Sequence, residues 1–226
     1  MIGTLVNVAA VIVGSLIGLL LRKGFPEKMK STVTTGMGLC TMIIGIQSAF
    51  ETKNVLIMIL SVVIGSIIGV ALKIEYRLDK LGQSLQNRFS GKDDSGNFAK
   101  GFVTATLIYC VGAMAIMGSI ESGLRNEHGT LFAKSILDGV LSISLASTMG
   151  IGVMFSAIPV FIYQGGIALL AQTVEPLLTE AVVAEMSAAG GVLILGVGLN
   201  LFRKEHIPVG DMLPAIFLPL ILTLFM

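Results

Sequence analysis

The sequence predicts an all-α, polytopic membrane helix bundle. Three observations carry that prediction. Over 226 residues, 54% are hydrophobic and 13% charged, with a mean hydropathy of +0.90, whereas a soluble domain carries about 25% charged residues to dress its surface. Apolar runs close to the 20 or so residues that a helix needs to cross the hydrocarbon recur along the chain, bounded by charge, proline or loop clusters. The 27 glycines include pairs at four-residue spacing inside those runs, the spacing that lets membrane helices approach closely.

Eight apolar segments result, within a single membrane domain spanning 1–226: Ile2–Leu21, Thr34–Phe50, Val55–Lys73, Gly101–Ile120, Leu131–Thr148, Gly150–Gln172, Ala181–Phe202 and Val209–Met226. The first has no basic residue before its apolar run and no small-residue cleavage site, and so reads as a retained helix rather than a secretory signal. The third is followed by Ile74, Leu78, Leu81, Leu85 and Phe89 on one helical face, with Arg77, Lys80, Gln83 and Arg88 on others. This predicts an amphipathic cytoplasmic helix and loop over 74–100. Within it, Gly91-Lys92 lacks the glycine spacing of a phosphate-binding loop. The fifth and sixth segments form a helical hairpin at 131–172, which is either two full spans or a re-entrant loop turning near Gly150. Pro159 interrupts the sixth, and Pro214 and Pro219 predict a kinked or unwound eighth.

Basic residues orient the bundle, because Lys and Arg in short loops stay cytoplasmic. With both termini extracellular or periplasmic, Arg22, Lys23, Lys28, Lys30, Lys73, Arg77, Lys80, Arg88, Lys92, Lys100, Arg203 and Lys204 lie inside. Only Lys53, Arg125 and Lys134 lie outside, twelve against three. The formal net charge of +1 offers no basic field for a phosphate backbone, so nucleic acid is not an expected partner. The lipid bilayer is. Cys40 and Cys110 sit inside apolar runs, where a thiol behaves as a small hydrophobe. No metal or cofactor is expected.

Internal self-similarity follows two patterns. Val11-Ile12-Val13-Gly14-Ser15-Leu16-Ile17-Gly18 recurs as Val62-Val63-Ile64-Gly65-Ser66-Ile67-Ile68-Gly69, at an offset of 51. Gly38, Gly45 and Gln47 of the second segment match Gly191, Gly198 and Asn200 of the seventh. The predicted topology runs those two segments in opposite directions, which makes the second pattern a partly inverted repeat of the kind found in secondary transporters. The glycine faces serve either packing within the monomer or a homodimer contact.

Charged groups inside a span are costly and mark function or pairing. Lys134, Asp138 and Ser142 fall at i, i+4 and i+8 on one helical stripe. Ser147, Thr148, Gly150, Gly152 and Ser156 extend a hydroxyl- and glycine-rich strip across the turn, and Gln164 and Asn200 add amides near span ends. These nine residues, from Asp138 to Asn200 without Lys134, form the candidate site for a small solute or monovalent cation. The ion pair Lys134–Asp138 is the purely structural alternative. Gln47 and Glu121 are further polar groups near span ends, and Glu175, Glu180 and Glu185 are expected to face water.

The runs Tyr109 to Ile116, Lys134 to Gly139, Ala146 to Val153, Ser156-Ala157, Tyr163-Gln164-Gly165 and Gly198-Leu199-Asn200, with the opening Gly3-Thr4-Leu5-Val6-Asn7 and the late Leu213-Pro214-Ala215, resemble the YdfK/YqgA-like family of bacterial integral membrane proteins. The resemblance covers essentially the whole chain. It implies a small polytopic protein of the bacterial plasma membrane and lends no substrate or activity. The expected function is that of a secondary transporter, or a transporter-like protein, with its site in broken helices around 134–164. A passive channel and a non-transporting assembly partner are the alternatives. An enzyme is not expected: His128 and His206 fall in loops, and Asp138 is the one aspartate deep in a span, with Asp211 at the start of the eighth.

Overall fold

The computed structural model describes residues 1–22, 27–80, 97–202 and 206–223. The helices are α1 (Ile2–Arg22), α2 (Glu27–Ala49), α3 (Val55–Leu72), α4 (Asn97–Cys110), α5 (Ala113–Leu124), α6 (Gly129–Met149), α7 (Gly152–Phe155), α8 (Ala157–Leu169), α9 (Ala171–Val174), α10 (Glu180–Asn200) and α11 (Pro219–Leu222), with a 3-10 segment at Val209–Ile216. Residues 74–80 are also helical. The remainder of the predicted amphipathic helix, its Ser90–Asn97 loop up to residue 96, and Lys23, Arg203 and Lys204 lie outside the described residues. All regular structure among the described residues is helical.

Five helices are long and apolar enough to cross a membrane: α1, α3, α6, α7 with α8, and α10; α4 with α5 makes a sixth if that bent pair is one span. Of the other predicted segments, the second lies in α2, which starts earlier than expected and takes in Lys28 and Lys30. The eighth is the 3-10 segment and α11. Pro214 sits inside the 3-10 turn and Pro219 opens α11, because a proline has no N–H for an α-helical ladder. Pro159 acts likewise. Its missing N–H is the one that would bond Phe155, and α7 ends there, with α8 beginning at Ala157.

Helix ends follow local chemistry. Asn54 caps α3, accepting from Leu56 N at 3.1 Å, and Lys73 closes it in the left-handed region with φ of 53°. The outward faces are apolar: Val13, Leu16 and Leu20 on α1, Leu56, Val63 and Ile67 on α3, Ile136 and Val140 on α6, and Ile158 and Ile162 on α8 are all exposed. Such a girdle suits hydrocarbon and not water.

The helices pack as two groups. In one, α1 lies along α6, with α4, α5, α7 and α8 around them; in the other, α2 lies along α10 and α3 along the 3-10 segment. Close approach at glycine sets each pairing. A β-carbon on Gly14 or Gly18 would overlap the carbonyl oxygen of Gly139 or Ile143, and one on Gly69 would overlap that of Asp211. On Gly65 it would collide with Ala215. Both copies of the glycine-serine element are therefore packed within the chain, which leaves none of these four glycines to a homodimer. On α10, a β-carbon at Gly191 would lie 2.6 Å from the Gly45 oxygen, and one at Gly198 would lie 3.1 Å from that of Gly38. The two groups meet where α2 touches α6 and where α10 crosses α4 and α5, with Val111 set against Gly190.

Residue order in these contacts gives direction. Gly3 meets Leu131 while Gly18 meets Ile143, so α1 and α6 are parallel. Gly38 meets Phe202 and Gly191 meets Ala49, so α2 and α10 are antiparallel, as are α3 and the 3-10 segment.

Candidate functional site

A helix of 21 residues is about 31 Å long at 1.5 Å per residue, so α6 matches a bilayer core of about 30 Å. Asp138 is nine residues past its start at Gly129, about 14 Å along the axis and close to the middle. Lys134, Asp138 and Ser142 share its inner face and are buried, at 6%, 2% and 0% exposure. The inner face of α1, Gly3, Thr4, Asn7, Val11, Gly14, Ser15 and Gly18, packs on that stripe.

A buried polar cluster results. Lys134 Nζ donates to Asp138 Oδ1 at 3.0 Å, and Asn7 Nδ2 donates to Asp138 Oδ2 at 3.0 Å and to Gln164 Oε1 at 3.2 Å. One turn further along α6, Ser142 Oγ lies 2.7 Å from the Tyr109 hydroxyl. Four helices thus converge on one stripe: α1, α4, α6 and α8. Thr4 Oγ1, Asn7 Oδ1, Ser15 Oγ and Gln164 Nε2 are buried without a hydrogen-bond partner. Buried polar atoms are nearly always bonded, so four such atoms on α1 and α8, one of them on Asn7, which bonds Asp138, are unusual.

Tyr109 stands two residues before a break. The axes of Phe98–Cys110 and Ala113–Leu124 are bent by 61°, around Gly112 with φ of 116°, a value that glycine tolerates and other residues rarely adopt. Within the fourth predicted segment, then, the helix is discontinuous beside the polar stripe.

Of the predicted site residues, Asp138, Ser142 and Gln164 come together in this cluster. Ser147 donates to Ser144 O at 2.8 Å, Thr148 to Leu145 O at 3.0 Å and Ser156 to Val153 O at 2.6 Å, each within its own helical stretch. Gly150, with φ of 82°, makes the turn after α6, and Gly152 fits against the Phe98 backbone. Because α6 has already run its full length, this turn is at the end of the bundle where α4 begins and not at mid-depth. Asn200 is elsewhere: its amide brackets Ile207, accepting from the backbone N at 2.8 Å and donating to the backbone O at 2.9 Å. It borders a cavity of about 200 Å³ shared with Glu75, Asp79, Lys100, Thr104 and His206.

Sequence reading named Asn7 and Tyr109 only within the runs that carry the family resemblance and placed neither in the site. The signal for Asn7 was the three- and four-residue spacing of Thr4, Asn7, Val11, Gly14 and Gly18; Tyr109 carried none in its spacing beyond its proximity to Gly112. Glu185 corrects an expectation. It does not face water: at 1% exposure it accepts from Thr52 Oγ1 at 2.7 Å and from the backbone N of Lys53 and Asn54 at 2.6 and 2.8 Å. The α2–α3 loop folds over α10 and offers three donors, two of them backbone N–H groups just ahead of the first turn of α3, where the helix dipole favours an anion. Glu121 accepts from Thr130 Oγ1 at 2.6 Å and ties α5 to α6, while Gln47 is exposed.

Two relatives align with nearly the whole chain. It is 33% identical over 223 residues to the uncharacterized membrane protein YdfK of Bacillus subtilis (strain 168), covering 97% of this chain and 94% of that one. It is 31% identical over 225 residues to the uncharacterized protein YqgA of Escherichia coli (strain K12), covering 98% and 96%. No solved structure matches it. The family described as protein of unknown function (DUF554) matches residues 2–224, and with multi-pass apolar helices over that same length the chain belongs to this family of bacterial membrane proteins.

Proposed function

We propose that the protein is a secondary transporter for a small solute or ion, and not an enzyme, with its site at Asp138, Asn7, Gln164 and Ser142. One observation carries this reading: a neutral, buried polar cluster at mid-depth beside a discontinuous helix, with polar atoms left unbonded. Polar groups inside a membrane mark substrate and ion paths, and broken helices at the midplane are the recurring build of such sites. One further feature supports it: the glycine motifs of α2 and α10 meet head to tail, Gly38 at Gly198 and Gly45 at Gly191, as an inverted repeat about an in-plane axis requires. The parallel and antiparallel pairings agree with alternate crossings, and the excess of Lys and Arg in the short loops is what argues for both termini on the extracellular or periplasmic side.

The test is flux into proteoliposomes from a panel of amino acids, small organic acids and alkali cations, with Asp138→Asn as the control. Saturable uptake of one of them, lost in Asp138→Asn, is the expected result. Conductance that does not saturate would make the protein a channel. Folded protein with no flux across the panel would favour the assembly partner.

A further inference from the structure

The composition of the polar cluster narrows what it takes. Asp138 is its one carboxylate and Lys134 its one cation, so the pair is neutral and holds no surplus negative charge for a divalent ion, whose affinity grows with the number of charged ligands. Among the described residues the Lys134 ammonium makes one hydrogen bond, to Asp138 Oδ1, although it carries three donors. A lysine placed four residues before its acidic partner is also the weaker orientation on a helix. Helix stability therefore does not account for it. Around the same carboxylate Gln164 Nε2 is a buried donor without a partner, and the oxygens also exceed the bonds made to them. Asn7 Oδ1 is buried without a partner, as is Thr4 Oγ1 one turn earlier on the same face, and Gln164 Oε1 and Asp138 Oδ2 share the single Asn7 amide. An under-bonded ammonium thus stands beside a shell of neutral oxygens with one carboxylate.

We propose that the oxygens of Asp138, Asn7 and Gln164 form a site for an alkali-metal cation, the Asn7 amide turning its Oδ1 to where Nδ2 now faces Asp138 Oδ2 and Gln164 Oε1, and that the Lys134 ammonium is its tethered competitor, leaving Asp138 when the ion arrives. No covalent bond changes: one cation replaces another on the carboxylate. This rests on the transporter reading and sharpens its substrate to a monovalent cation.

Equilibrium binding separates the two. Purified protein in uncharged detergent is titrated with NaCl, and separately with KCl, against choline chloride at constant ionic strength, and the thermal unfolding midpoint is read, since a ligand of the folded state raises it. The wild type shows a saturable rise with at least one of the two salts. In Lys134→Met the half-saturating concentration falls about tenfold, because the competing state no longer reduces apparent affinity. The Lys134→Met/Asp138→Asn pair, which buries no charge, shows no cation response. No shift in wild type and Lys134→Met, an unchanged half-saturation, or a response that survives in the double variant overturns the cation site. Should Lys134→Met not fold, Asn7→Ala replaces it: half-saturation then rises about tenfold, as expected for a lost oxygen ligand, and an unchanged value overturns the site. Saturable, Asp138-dependent flux of an organic solute without cation binding would remove the cation and leave the transporter.

Discussion

Lys134→Met tests whether the core of the cluster is dry. The two side chains are 8% and 3% exposed and 3.0 Å apart. Removing one partner of a buried pair costs about 3–5 kcal/mol, because the remaining charge is left uncompensated, whereas replacing both by neutral groups of similar size is close to neutral. Asp138 would keep only the Asn7 amide. The expected outcome is a loss of about 3–4 kcal/mol in Lys134→Met, seen as a drop of roughly 10 °C in the unfolding midpoint for a chain of this size. The Lys134→Met/Asp138→Asn variant should return to within about 1 kcal/mol of wild type, because neither neutral side chain leaves a charge uncompensated. The assay is reversible unfolding in mixed micelles, in choline chloride so that no alkali cation substitutes for the lysine. A single variant that loses less than about 1 kcal/mol would mean that water reaches Asp138. A double variant as unstable as the single one would mean that Lys134 acts through packing. Either result refutes the charge-compensation reasoning.

Glycine positions should split sharply by what a β-carbon meets. Gly69→Ala drives a methyl group into the Asp211 carbonyl and should lower stability by about 2 kcal/mol or more, while Gly36→Ala on α2 meets nothing within 4 Å and should raise it by about 0.5–1 kcal/mol; thermal unfolding in detergent reads both. Glu185→Ala leaves three donors of the α2–α3 loop unbonded and should cost about 2–4 kcal/mol, with faster labelling of a cysteine placed at Thr52. Glu185→Gln keeps the acceptor oxygen and should cost less. In a background without Cys40 and Cys110, Ile151→Cys should react with a membrane-impermeant maleimide from the same side as Lys80→Cys and from the side opposite Lys53→Cys. Labelling of Ile151→Cys from the Lys53 side would mean that α6 and α8 turn back within the membrane.

Much of the fold was legible because the membrane simplifies the code. A span has to satisfy its own backbone hydrogen bonds and so must be helical, and the predicted Ile2–Leu21, Val55–Lys73, Leu131–Thr148 and Ala181–Phe202 differ from α1, α3, α6 and α10 by two residues or fewer at each end. Less was legible where a helix stops inside an apolar run. Gly112 breaks the fourth segment with no polar neighbour to announce it, and α2 extends back through Lys28 and Lys30, whose charges read as the edge of a span. The site divided in the same way. Asp138 and Ser142 were found as a stripe, but the hydroxyls of Ser147, Thr148 and Ser156, which look identical in sequence, turn to carbonyls of their own helical stretches.

By itself the sequence determined that the chain is a bundle of membrane helices, which stretches form them, and that Lys134, Asp138 and Ser142 share one face. These properties depend on residues within a turn or two of each other, and hydropathy and helical periodicity record them directly. Only the tertiary structure decided that Asn7 lies against Asp138, 131 residues away, that the glycine faces close on α6, α10 and the 3-10 segment rather than on a second copy, and that Glu185 is covered by a loop. Which face meets which is settled by close packing among all the helices at once, where one carbonyl oxygen at Gly139 or Asp211 leaves room for a hydrogen and not for a methyl group.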